Sequence, residues 1–249
     1  MAILIIDFDG TIHDSMCIYA PAVRACHDML AEQGLMAPGE VPDALIRGYL
    51  GLTAMEMWKE FAPSLSEEQQ QEGSRYIGRE MARLAMQGEA KLYDGAIQAL
   101  AALKQQGHRL VFLSNCSKGY MDMHTRVFHL DRYFDEMYCS EQFDWEEKWL
   151  IVRKLIPEWK SRFGDIPIIV IGDRYKDMEI ARAKSPEQNG GEETPVRKIF
   201  CSYGFGEPEE GKDADITAKS VRVLPDCVSR LLDQSSTTTI RSPGAMVLG

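Results

Sequence analysis

The chain has no C-x-x-C pair, and its six cysteines (Cys17, Cys26, Cys116, Cys139, Cys201 and Cys227) lie scattered. Neither a zinc site nor a disulfide framework is suggested, and a reducing, cytoplasmic setting fits best. Blocks of Lys or Arg are also missing: 28 basic residues face 38 acidic ones, for a net charge of −10. Because affinity for a phosphate backbone is dominated by clustered positive charge, this composition argues against a general nucleic-acid or anionic-membrane binder. Long apolar runs are absent too. The first, Ala2 to Ile6, stops at Asp7, whereas a signal-peptide core takes about 7–15 apolar residues and a membrane helix about 20. No repeat is visible, and with 45% hydrophobic residues and only 20 Gly and 11 Pro in 249 positions, the chain reads as one or two globular domains.

Short β-branched runs appear at Ala2 to Ile6, Arg109 to Leu113 and Ile168 to Ile171, with weaker ones at Glu136 to Cys139 and Arg197 to Cys201. They are continuous rather than alternating, as expected of strands buried on both faces of a parallel sheet. Helical patterns fall between them at Gly95 to Gln106 and Lys176 to Lys184, and a last helix is predicted from Pro225 to Leu232. Strand alternating with helix predicts an α/β class with a Rossmann-like, mostly parallel sheet.

From His13 to Glu89 the pattern is helical throughout: Met16 to Glu32, Pro42 to Tyr49, Thr53 to Phe61 and Ser66 to Gln87. Ser64 with Glu67, and Ser66 with Gln69, have capping-box spacing ahead of the last of these. Four helices exceed one crossover, so residues 15–89 are expected to be an inserted helical cap, 1–14 and 90–235 the core, and 236–249 a loose tail. The polar stretch Ser185 to Pro195 reads as a surface loop. Met55, Met57, Met81 and Met86 read as core filler, Trp145 and Trp149 as one helix face, and Cys116 as a buried inert thiol.

In open α/β sheets ligands collect beyond the carboxyl ends of the strands. The first strand ends in Asp7, Phe8, Asp9, Gly10, Thr11; the second in Ser114, Asn115; the third in Gly172, Asp173 and, after three residues, Asp177. Lys148 stands on a helix between the last two. Taken in this order, these segments resemble the four motifs of the haloacid dehalogenase superfamily. The run from Asp7 to Ser15 followed by a helical insertion, Tyr93-Asp94-Gly95, and Tyr203-Gly204-Phe205-Gly206 are similar to its phosphoglycolate-phosphatase-like branch. His13 departs from that pattern, which has an apolar residue there, and Lys148 lacks the common following proline, leaving Lys154 as the alternative.

The resemblance implies a phosphomonoester hydrolase that works through an aspartyl-phosphate. It assigns the nucleophile to Asp7 and the general acid and base to Asp9. Mg²⁺ is expected on Asp7, the backbone carbonyl of Asp9, and Asp173, with Asp177 behind them. Phosphoryl oxygens fall to Ser114, Asn115, Lys148, Gly10 and Thr11. A carboxylate nucleophile splits hydrolysis into two displacements, and Mg²⁺ takes oxygen ligands and offsets the charge that repels nucleophile from phosphate. The second aspartate weighs against halide chemistry. His13, Arg47 and Lys59 are candidate specificity residues. A small phosphorylated metabolite is the expected partner, and the oligomeric state is left open. Two rivals stand beside this reading: a phosphomutase, which shares the aspartyl-phosphate, and a non-catalytic binding or regulatory module on the same fold.

Overall fold

A computed structural model describes residues 1–183 and 196–238; the predicted loop Ser185 to Pro195, and the tail beyond 238, lie outside the described residues. Six strands form one parallel sheet: β1 (Ile3–Ile6), β4 (Arg109–Ser114), β5 (Glu136–Cys139), β6 (Ile168–Gly172), β7 (Val196–Cys201) and β8 (Ile216–Ala218), in the order β5-β4-β1-β6-β7-β8. Ile3 to Ile6 pair with Arg109 to Phe112 on one side and with Ile168 to Ile171 on the other. The chain therefore builds outward from β1 in one direction and then in the other, which places its switch point at the carboxyl end of the central strand.

Both faces of the sheet are covered, as continuous apolar strands require. Leu4, Ile6, Leu110, Phe112, Ile169 and Ile171 pack under α5 (Ala96–Gln105) and α9 (Leu224–Thr238). Ile3, Ile5, Val111, Leu113 and Val170 pack under α7 (Lys148–Phe163), whose Ile151, Val152, Leu155 and Trp159 complete the opposite layer. Each fully buried aliphatic or aromatic side chain here contributes about 1.5–3 kcal/mol. α9 runs through Thr238, so residues 236–238 continue a helix where a loose tail was expected.

Between β2 (His13–Asp14) and β3 (Lys91–Leu92) lie α1 (Met16–Glu32), α2 (Asp43–Tyr49), α3 (Ala54–Phe61) and α4 (Glu67–Met86). These four helices surround an apolar cluster of their own, centred on Ile18, Val23, Ile46, Trp58, Ile77 and Met81. Reciprocal capping boxes start two of them, Thr53 with Glu56 and Ser66 with Gln69. Of the methionines expected in that core, Met57 and Met81 are buried while Met55 and Met86 face solvent. β2 and β3 form a two-stranded antiparallel ribbon, His13 opposite Leu92 and Asp14 opposite Lys91, at the point where the chain leaves and re-enters the sheet domain. The remaining helices are α6 (Lys118–Phe128), packed against both apolar clusters, and the short α8 (Tyr175–Met178). Trp145 lies outside α7, because Asp144 and Trp145 both take left-handed backbone angles (φ 53° and 61°), which end any helix before Lys148 begins the next.

Candidate active site

β1 delivers Asp7 to its carboxyl end, and the chain then turns at once: the Phe8 carbonyl accepts the N–H groups of Thr11, Ile12 and His13. Gly10 occupies this turn at φ 84°, and a Cβ there would collide with the Asp173 carboxylate. A glycine is required twice over, by angle and by space. Gly204 and Gly206, quoted from the sequence without a role, also close on Asp173, and the intervening Phe205 N–H donates to Asp173 Oδ2 at 2.7 Å. Thr11 Oγ1 lies 3.4 Å from Asp173 Oδ1, and its carbonyl accepts from Tyr203 at 2.8 Å.

Lys148 is the first residue of α7, at the positive end of the helix dipole, where a cation is disfavoured. It is held there by acceptors: its Nζ lies 2.6 Å from Asp7 Oδ1 and 2.6 Å from Asp177 Oδ1, all three groups being buried. Lys154, by contrast, is exposed and paired with Glu146, so the lysine of the site is Lys148. Asp177 closes the short α8 by accepting the Arg174 N–H on Oδ2 at 3.1 Å, leaving Oδ1 for the lysine.

One ligand oxygen each from Asp7, Asp173 and Asp177 lies within 4.8 Å of the others. Three carboxylates against one ammonium leave a deficit of two positive charges when all are ionised. The electrostatics record it. Burial, then the charge of Asp177, push Asp7 well above the usual carboxylate range, with Lys148 opposing. The same two causes raise Asp173 to about 7 against the pull of the Phe205 N–H. Burial opposes the charge on Lys148, but Asp177 and Asp7 outweigh it and raise its pKa. Oxygen-only donors with two missing charges suit a divalent cation such as Mg²⁺.

Asp9 sits apart from this cluster's hydrogen bonds. Its Oδ1 accepts from Tyr120 Oη at 2.7 Å and from His13 Nδ1 at 2.9 Å. Burial raises its pKa, yet the hydrogen bond and charge of His13, with Tyr120, lower it overall. His13, expected among the specificity residues, is fully enclosed, stacked on Phe8 at 4.8 Å between ring centroids and bonded to Asp9, and it is not among the residues that line the cavity.

A cavity of about 590 Å³ lies between the strand ends and the helical insert, lined by Asp7, Asp9, Ser114, Asn115, Lys148 and Asp177 from below. Tyr19, Tyr49, Ser74, Arg75 and Met81 line it from the insert. Ser114 ends β4 buried, and Asn115 Oδ1 accepts from Ser140 at 2.6 Å. Among the expected insert residues, Arg47 lies over the Phe205 ring at 5.5 Å, next to the cavity wall. Lys59 is exposed on α3 and does not line the cavity. Cys116 is buried at the cavity edge, and a hydrogen bond with Cys139, then burial, hold its thiol well above the usual range. Tyr120 and Arg75 were not singled out from the sequence; Tyr120 is the third residue of a helix capped by Ser117, and no spacing rule links it to Asp9.

Among the described residues no helix is long and apolar enough to cross a membrane. No curated protein matches the sequence. Solved structures do match in fold. A predicted phosphoglycolate phosphatase from Haemophilus somnus is 17% identical with a TM-score of 0.72, covering 92% of this chain and 98% of that one. A predicted phosphatase from Clostridium acetobutylicum is 22% identical with a TM-score of 0.67 over 92% and 99%. A β-phosphoglucomutase from Clostridium difficile is 15% identical with a TM-score of 0.67 over 97% and 100%. The family model described as haloacid dehalogenase-like hydrolase matches residues 4–185, spanning the turn after β1, Ser114, Lys148 and the acidic pair after β6, and the chain belongs to that family.

Proposed function

We propose that the protein is a Mg²⁺-dependent phosphatase that hydrolyses a small phosphomonoester by way of an aspartyl-phosphate on Asp7. The observation that carries this reading is the buried cluster of Asp7, Asp173 and Asp177, the first and last paired with Lys148, whose Asp7, Asp177 and Lys148 line the cavity beneath the insert. Asp7, Asp173 and the Asp9 carbonyl would hold Mg²⁺, which would supply the missing positive charge and Lewis acidity toward the phosphoryl group. A carboxylate oxygen of Asp7 attacks phosphorus, the bond from phosphorus to the alcohol oxygen breaks, and a proton on Asp9 passes to that oxygen. Asp9, now ionised, takes a proton from water as the water oxygen attacks the same phosphorus, which frees inorganic phosphate and restores Asp7. Proton transfer of this kind is worth about 10²–10⁴-fold. Lys148 and Ser114 hold the phosphoryl oxygens through both steps, and Asp177 holds Lys148.

The test is a panel of phosphorylated metabolites assayed for inorganic phosphate with and without Mg²⁺, on wild type and Asp7→Asn. Turnover is expected in wild type with Mg²⁺ and not in the variant. Activity of folded Asp7→Asn within about tenfold of wild type overturns the covalent route. A phosphomutase would instead return the phosphoryl group to a second hydroxyl and release little phosphate.

A further inference from the structure

The acid–base carboxylate of the proposed reaction takes its side-chain hydrogen bonds from two aromatic neighbours, Tyr120 and His13. Its side chain is 21% exposed and lines the cavity. Two donors converge on one of its oxygens, the Tyr120 hydroxyl at 2.7 Å and His13 Nδ1 at 2.9 Å. Among the described residues no donor meets the other oxygen. We propose that Tyr120 is a positioning residue for Asp9, its hydroxyl pinning Oδ1 so that Oδ2 is the oxygen presented to the leaving alcohol and the one that carries the proton.

An oxygen that already accepts two hydrogen bonds has no lone pair left for a proton, so the acidic proton is confined to Oδ2. Pinning Oδ1 also fixes the direction in which Oδ2 points, and a misplacement of about 1 Å in such a group can cost about 10²-fold in rate. Tyr120 is itself rigidly held. Its N–H donates to Ser117 Oγ at 3.2 Å, and its carbonyl accepts from His124 Nδ1 at 3.0 Å. Its ring lies 4.1 Å from that of His124 and meets Phe8 edge-on. Burial keeps the phenol protonated and therefore a donor. His13 Nδ1 reaches the same oxygen beside the Tyr120 hydroxyl, 3.4 Å from it, with its ring packed on Phe8 and on His124 at 4.6 Å. The ring of Tyr120 also packs against both apolar clusters; Phe in its place keeps that packing and removes only the hydroxyl.

This inference rests on the reading of Asp9 as general acid, and the experiment separates the two. Tyr120→Phe and Asp9→Asn are compared with wild type on the best alkyl phosphate of the panel and on p-nitrophenyl phosphate, whose leaving group departs without a proton. The quantity read is kcat/KM, which reports the path up to release of the alcohol and not the later attack by water. Tyr120→Phe is expected to lose about 10–100-fold on the alkyl ester and no more than about threefold on the aryl ester. Its thermal midpoint and the shift of that midpoint by Mg²⁺ are expected to match wild type. If Asp9→Asn shows the split between esters and Tyr120→Phe shows none, or loses equally on both, the assignment of Tyr120 is overturned while the general acid stands. If Asp9→Asn itself falls equally on both esters, the general-acid reading fails and the proposal with it. A lowered midpoint for Tyr120→Phe, with equal losses, assigns the tyrosine to packing alone and also overturns it.

Discussion

Asp173 carries its proton to about pH 7 in the folded protein, against 3.8 for an unperturbed aspartate, because it is buried beside Asp177. The folded state therefore holds a proton between about 3.8 and about 7 that the unfolded chain has released. Stability from this group is full below that window and falls as pH rises through it. In chelator, the thermal midpoint of Asp173→Asn relative to wild type is expected to increase from pH 4 to pH 8, and comparing variant with wild type cancels the opposite trend of His108 and His124, whose pKa values burial lowers. A constant difference across that range would contradict the assignment. Mg²⁺ is expected to raise the wild-type midpoint at neutral pH and to leave that of Asp173→Asn nearly unmoved. Lys148 belongs to the same scale. Lys148→Ala leaves Asp7 and Asp177 buried without their cation, and a severe loss of kcat is expected, whereas Lys154→Ala, which breaks only an exposed pair with Glu146, is expected to change kcat by less than about twofold.

At the scale of elements, the strands and the insert were legible because each rests on a local rule. The runs at Ile3 to Ile6 and Ile168 to Ile171 have few polar residues to spare for a solvated face, and Ser66 with Gln69 does cap α4. What escaped depends on contacts distant in sequence. β8 is three residues long with Thr217 exposed, too short for a pattern, and only its pairing with β7 defines it. The four-residue spacing of Trp145 and Trp149 suggested one helix face, but backbone angles at Asp144 and Trp145 place the first outside the helix. In the site, motif order named Asp7, Asp173 and Lys148, which the structure brings together, whereas Tyr120 and the Phe205 N–H are brought in by the fold from 111 and 32 residues away from the carboxylates they meet. The contact of α4 with α3 gives a prediction of its own. A Cβ at Gly73 would run into the fully buried indole of Trp58, whose Nε1 is tied to Ser74 Oγ at 2.6 Å. Gly73→Ala is expected to destabilise the protein by about 1–3 kcal/mol despite a helix-propensity gain of about 1 kcal/mol. Denaturant titration checks this, and a stabilised variant would show that the indole can move aside.

For the whole molecule, the cavity of about 590 Å³ has its reactive floor on the sheet and its roof on the insert, so a substrate must fit between two bodies. Small phosphorylated metabolites are expected to exceed a phosphoprotein in kcat/KM by at least about 100-fold, because a folded surface cannot enter while the insert stays seated. Comparable rates on both would place the insert elsewhere during turnover. Contacts between the two bodies are both apolar and polar: Tyr120, Met123 and Phe128 of α6 pack against the insert's cluster, Lys176 pairs with Glu56 at 3.1 Å, and Arg47 rests on Phe205. A partly exposed ion pair such as the second is worth about 0–1 kcal/mol.

The ribbon of β2 and β3 gives this arrangement a mechanical character. Two residue pairs, His13 with Leu92 and Asp14 with Lys91, hold both strands of the neck together. A neck of two crossed-linked threads bends and twists as one pin, whereas two separate threads would let the load swing and slide independently. The roof thus hangs over the floor from a paired ribbon, and any displacement of it must carry both strands of the neck together.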